Sequence, residues 1–207
     1  LENDEPMQIL RAVEDVNREQ RSRFIAKIKS NFRRRFNDRN GLSGRKIAIW
    51  GVAFKPGTDD IREAPAIELI EGLLAAGATV TAYDPVAQSA ALERLNGHLG
   101  LDFSKDMYTA AEGADGLCIC TEWMSFREPD FSKLKAAMKA PLIFDGRNLF
   151  AHDQIAAQGF EYHSVGRESK AAAIFAPTSQ LTRDTKSPSR SLQNTALVSE
   201  TIFSSEN

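Results

Sequence analysis

Cysteine is scarce in this 207-residue sequence, and so are long apolar runs and any surplus of positive charge. Its two cysteines, Cys118 and Cys120, lie two positions apart, a spacing that suits neither a disulfide framework nor a CxxC redox or zinc motif. They are expected to be reduced and buried. No apolar run approaches the about 20 residues needed to cross a bilayer, and Leu1 leads into acidic residues rather than a signal sequence. A cytoplasmic protein without a membrane partner is therefore expected. Lys and Arg total 26 against 28 Asp and Glu, a net charge of −2 that argues against a dedicated nucleic-acid binder. The run Arg33, Arg34, Arg35 reads as a solvated helix end. His98, His152 and His163 are spread over helices and the last strand, with no hydrolytic triad and no metal-ligand cluster in view. Apolar residues at 42% and charged ones at 26% nevertheless form an ordinary globular mix.

Glycine is absent from Pro6 to Phe36, where Leu10, Val13, Phe24, Ile28 and Phe32 recur at helical intervals among charges. A helix starting near Pro6 would run about 45 Å, long enough to bridge domains or pair with a second copy. A linker rich in Asn, Asp, Gly and Ser follows over Asn37 to Gly44. Lys46 to Phe54 is then an almost unbroken apolar run, as in a strand buried on both faces of a parallel sheet. Ala64 to Ala76 reads as a helix stopped by Gly77, and Thr79 to Tyr83 as a second strand ending in Asp84 and Pro85. The alternation continues with helical turns at 89–95 and 107–112, a strand at 116–120, a helix at 131–138, and strands at 142–145 and 161–165. This pattern predicts an α/β fold with a doubly wound, Rossmann-like parallel sheet over 41–168, preceded by the helix and linker of 1–40. Residues 169–207, rich in Ser and Thr and without sustained period, are expected to be a disordered tail.

In such sheets ligands sit beyond the carboxyl ends of the strands, where three loops collect the polar chemistry. The first, Phe54-Lys55-Pro56-Gly57-Thr58-Asp59-Asp60-Ile61-Arg62-Glu63-Ala64-Pro65, offers a lysine, a hydroxyl, an arginine and backbone N–H groups near a helix N-terminus, a set that suits a phosphorylated ligand. Its glycines fit neither GxGxxG nor a P-loop, and a surface loop with ion pairs among Asp59, Asp60 and Arg62 is the competing reading. The second loop holds Thr121, Glu122, Trp123 and Phe126, which either touch a sugar or base or act as core lids. In the third, Asp145-Gly146-Arg147-Asn148, Gly146 is expected to allow a tight turn and Arg147 either to grip a diphosphate or to pair with Asp145. Composition and spacing thus support a phosphoryl-ligand-binding domain and no reaction.

These motifs, in this order and spacing, resemble the C-terminal domain of the UDP-glucose 6-dehydrogenase family: Phe54 to Pro65, Tyr83-Asp84-Pro85, Cys120-Thr121-Glu122-Trp123 and Phe144 to Asn148. The preceding helix, with Val13, Val16, Asn17 and Gln20, resembles the end of the central helix that links that family's two domains and builds its dimer. The resemblance implies NAD-dependent oxidation of UDP-glucose to UDP-glucuronate on a cysteine, in a homodimer. By the same resemblance Phe54, Lys55, Pro56, Gly57, Thr58 and Arg147 hold the UDP-sugar, and Arg62 faces NAD. The family's GxGxxG domain and its catalytic cysteine, placed before Leu1, are not in this sequence, so the chain alone is expected to bind but not to turn over. Dehydrogenases of UDP-N-acetylmannosamine or GDP-mannose, a plain NAD-binding domain, and a non-catalytic interaction module are the alternatives.

Overall fold

Helix α1 opens the structure at Gln8 and runs without interruption to Phe36. The structure, a computed structural model, describes residues 8–37 and 41–167; the expected helix start at Pro6 and the expected tail at 169–207 lie outside them. After α1 come β1 (Lys46–Trp50), α2 (Pro65–Leu74), β2 (Thr79–Tyr83), α3 (Gln88–Arg94), β3 (Leu101–Phe103) and α4 (Met107–Ala111). Next are β4 (Gly116–Ile119), α5 (Met124–Arg127), α6 (Phe131–Ala137), β5 (Leu142–Asp145), α7 (His152–Ala157) and β6 (Glu161–Ser164). No helix among the described residues is long and apolar enough to cross a membrane.

All six strands pair in parallel in the order β3-β2-β1-β4-β5-β6. Chain direction across the sheet reverses between β1 and β4, so the loops leaving these two strands diverge there and open a crevice at the carboxyl edge. Each strand serves both faces, because side chains alternate. Ile47 and Ile49 join the core formed with α1, α2 and α3, whereas Ala48 and Trp50 join the core formed with α4, α5, α6 and α7. That is why the strands read as continuous apolar runs. The short β3 and the one- to two-turn α5 and α7 were not among the elements expected from sequence. Leu101-Asp102-Phe103 is too brief at the sheet edge to show a period, with the middle residue exposed.

The second half of α1 belongs to the core, which resolves what its apolar stripe faces. Ile28 and Phe32 are fully buried, and Phe32 stacks on Phe36 and Phe144 at centroid distances of 5.6 and 5.9 Å. Gly116 makes room for this packing: a Cβ there would stand 3.0 Å from the Phe32 ring. Polar contacts fix the same face. Asn31 Nδ2 donates to Glu161 Oε1 at 3.1 Å, His163 Nε2 lies 2.8 Å from that oxygen, and Arg35 pairs with the other oxygen of Glu161. Residues Gln8 to Gln20, by contrast, are exposed throughout, with Ile9, Leu10, Val13 and Val16 each at least half uncovered.

At the carboxyl edge one buried carboxylate ties the loops together. Asp84, 1% exposed, accepts from Val52 N (2.7 Å) and Ala53 N (3.1 Å) after β1, from Val86 N (2.9 Å) and Ala87 N (2.8 Å) in its own turn, and from Trp123 Nε1 (3.0 Å) after β4. The β1 and β4 loops also touch directly at Gly51. This residue has φ of 88°, and a Cβ would stand 2.5 Å from Thr121 Cβ, so only glycine fits.

The clasp between α1 and β6 makes stability depend on acid. His163, then Asn31 and Arg35, hold the Glu161 carboxyl down to about 2 from 4.5, against the opposing effect of burial. A depressed folded-state value means that its stabilisation is complete above the unfolded value of 4.5 and disappears as pH falls toward 2. The difference in Tm between the unaltered chain and Glu161→Gln is therefore expected to be large near pH 6 and to shrink steadily below about pH 4.5. A difference unchanged down to about pH 3 in thermal scans would show that the ionised clasp contributes nothing.

Candidate functional site

A cavity of about 370 Å³ opens where α1 crosses the carboxyl edge of the sheet. Asn17, Gln20, Arg21, Phe24 and Ile25 of α1 form one wall; Phe54, Glu63, Pro65, Leu69, Cys120, Gly146, Arg147 and Val165 contribute the other. Pro65 is the first residue of α2, and the preceding Ala64 gives no side-chain cap, so a helix N-terminus borders the cavity. Gly146 sits under Phe24: a Cβ there would meet Ile119 O at 3.0 Å and the Phe24 ring at 3.5 Å. Its purpose is room. The left-handed backbone of this loop falls on Asn148, with φ of 55°, a residue type that tolerates this region.

Asp145 shapes this third loop. Its carboxylate accepts from Arg147 N at 2.7 Å, Leu149 N at 2.8 Å and the Tyr162 hydroxyl at 2.6 Å. With Asp145 occupied by the backbone, the Arg147 guanidinium turns elsewhere: Nε pairs with Glu122 Oε2 at 2.8 Å and Nη2 donates to Phe54 O at 2.9 Å. The structural pair between Asp145 and the Arg147 side chain is thus absent. Glu122 takes its place, a partner that sequence spacing does not signal because the residues sit on different loops.

The sequence-derived candidates divide. Phe54 and Arg147 meet at the cavity. Lys55 and Gly57 are exposed and Pro56 and Thr58 half-buried on the same loop, which closes on itself as Phe54 N donates to Asp60 O at 2.8 Å and Asp60 N to Thr58 Oγ1 at 3.1 Å. Arg62 lines a neighbouring groove with Arg21, Glu68, Glu71 and Arg94. Its Nη2 pairs with Asp60 Oδ2 at 2.8 Å while the side chain stays 87% exposed, and this pairing draws the Asp60 carboxyl down to about 2. The ion-pair reading of the loop therefore holds for Asp60 and Arg62. On the second loop Phe126 is a core residue stacked on Trp50 at 5.3 Å, and Trp123 packs against both cores. Neither wall of the cavity includes Trp123.

The cavity carries no nucleophile. Cys118 and Cys120 are free and buried, and burial pushes the Cys120 thiol up to about 12 and raises that of Cys118 well above its ordinary value. Both remain protonated and inert as attacking groups. Among the described residues no group of three His, Cys, Asp or Glu could hold a metal ion. What the arrangement can do is bind an anionic ligand: an arginine with donors to spare, a helix N-terminus, and the apolar Phe24 and Phe54 beside them.

Residues 48–152 match the UDP-glucose/GDP-mannose dehydrogenase family, UDP binding domain. The chain is 44% identical over 163 residues to a UDP-glucose 6-dehydrogenase of Pseudomonas aeruginosa, covering 77% of this chain and 35% of that protein. It is 48% identical over 126 residues to the corresponding enzyme of Rhizobium meliloti, covering 61% of this chain and 28% of that one. It therefore spans about a third of the length of these relatives. The solved structure of a UDP-glucose dehydrogenase from Pyrobaculum islandicum superposes with a TM-score of 0.62 at 26% identity, over 78% of this chain and 33% of that one. The chain belongs to the UDP-glucose/GDP-mannose dehydrogenase family, and residues 48–152 are its UDP binding domain.

Proposed function

We propose that this chain is the nucleotide-sugar-binding part of an NAD-dependent UDP-glucose 6-dehydrogenase, acting in the cytoplasm as a homodimer. The observation that carries the reading is the meeting of Arg147 and Phe54 at one cavity, on the edge of the sheet where such folds bind ligands, within a UDP binding domain. Arg147 would grip the diphosphate, the Phe54 to Thr58 loop would border the sugar with Lys55 at its polar side, and the α2 N-terminus would add positive potential.

Arg62 fits a second anion. Its guanidinium, tethered to Asp60 and otherwise open, is suited to a phosphate of NAD arriving from outside this chain. NAD, when bound, would supply the hydride acceptor for oxidation of the sugar alcohol. The residues of this chain would bind and orient; none of its groups is proposed as catalytic. The bare apolar face of α1 at Ile9, Leu10, Val13 and Val16 supports a second copy as the partner.

Calorimetric titration with UDP-glucose tests the reading. The unaltered chain is expected to bind, and Arg147→Ala to weaken binding about 10- to 100-fold, the usual loss for a hydrogen-bonded charge. The same chain should produce no NADH from UDP-glucose and NAD. Absence of binding, or equal binding by Arg147→Ala, would contradict the ligand assignment; NADH formation would contradict the division of labour. Light scattering of Val13→Glu against the unaltered chain addresses the dimer, which the substitution should break; a monomer in both would refute it.

A further inference from the structure

The guanidinium of Arg147 reaches the cavity already engaged along one edge. Its Nε stands 2.8 Å from Glu122 Oε2, and Nη2 donates to Phe54 O at 2.9 Å. The two side chains are 29% and 34% exposed, yet the paired atoms, Arg147 Nε and Glu122 Oε2, are closed to solvent and meet as an ion pair rather than in hydrogen-bond geometry. The pair is thus sealed on its protein side and open on the other. A guanidinium carries five N–H donors in a rigid plane; the Phe54 carbonyl takes one of them, the carboxylate lies against the Nε edge as an ion pair, and terminal N–H groups remain for a ligand. These contacts also link three loops, since Phe54 follows β1, Glu122 follows β4 and Arg147 follows β5.

We infer that Glu122 is a positioning residue for nucleotide-sugar binding, holding the Arg147 guanidinium by its Nε edge so that the terminal nitrogens meet the diphosphate in a fixed plane. This rests on the assignment of the cavity to a UDP-sugar. Long side chains lose rotamer freedom when they grip a ligand, and an arginine fixed beforehand loses less. A carboxylate this close also opposes a diphosphate by simple charge repulsion. The two effects have opposite signs on removal of Glu122: loss of positioning weakens binding, whereas loss of repulsion tightens it. The geometry favours positioning, because Glu122 meets the sealed edge of the guanidinium, with the cation between it and the ligand's acceptor oxygens.

Titration of the full chain with UDP, comparing Glu122→Ala, Glu122→Gln, Arg147→Ala and the Glu122→Ala/Arg147→Ala double variant, decides the matter. Glu122→Ala is expected to weaken UDP about tenfold or more, and Glu122→Gln, which fills the same space against the Nε edge but lacks the charge, to weaken it by less than Glu122→Ala does. In the Arg147→Ala background, removal of Glu122 should cost nothing further. A second readout needs no ligand. In 15N-edited spectra the Arg147 Nε–H signal, assigned by its disappearance in Arg147→Ala, should exchange slowly with water in the unaltered chain and rapidly in Glu122→Ala. Failure of the unaltered chain to bind UDP would overturn the ligand assignment and this inference with it. Binding by Glu122→Ala that is as tight as, or tighter than, that of the unaltered chain would overturn the inference alone.

Discussion

A buried carboxylate holds the binding edge of this domain together. Asp84 has almost no solvent to solvate it, so its charge must be satisfied by donors, and five N–H groups from three separate segments converge on it. The loop after β1, the turn after β2 and the Trp123 indole after β4 are therefore fixed relative to one another without any ligand. This requirement also decides between readings of the fold. An acidic residue at the end of β2 is where a dinucleotide-binding sheet of this strand order commonly meets a ribose. Here both oxygens are committed to the protein, which leaves Asp84 no capacity for that task and sets the domain apart from a plain NAD-binding unit.

Helix α1 supplies the second constraint, and the two meet at the cavity. Phe32 over Gly116 and Phe24 over Gly146 lay the helix across the sheet, and the Asn31, Arg35, Glu161 and His163 cluster locks its end. The wall bearing Gln20 and Arg21 continues directly from this packed stretch of helix. Arg21 is itself anchored, its Nε 2.7 Å from Glu68 of α2. Beyond Gln20 toward the N-terminus the helix leaves the domain, and its apolar residues have no cover among the described residues. One continuous element thus joins the binding edge to a surface suited to association.

Much of this was legible in the sequence because it follows from local pattern. The apolar runs at 46–50, 79–83, 116–119 and 142–145 are strands, and the alternation with helices made a parallel sheet the natural solution. The phosphate-suited loops fall at strand ends as expected. What could not be read are pairings across space. Nothing in the spacing of Glu122 and Arg147 announces their contact, and the nearer Asp145 was the obvious rival until its oxygens proved to be filled by Arg147 N, Leu149 N and Tyr162. The role of Asp84 was hidden for the same reason. The direction of the helix's apolar stripe depended on space left by Gly146 under Phe24 and by Gly116 under Phe32, which no helical period records.

The central claim is that the cavity between α1 and the strand ends receives a uridine diphosphate through Arg147, and a crystal structure of the chain grown with UDP tests it most directly. The account predicts density for the diphosphate within hydrogen-bonding distance of the Arg147 terminal nitrogens, beside Phe54 and the start of α2. Density in the groove of Arg62 and Arg94 instead, with the Arg147 cavity empty, would contradict it.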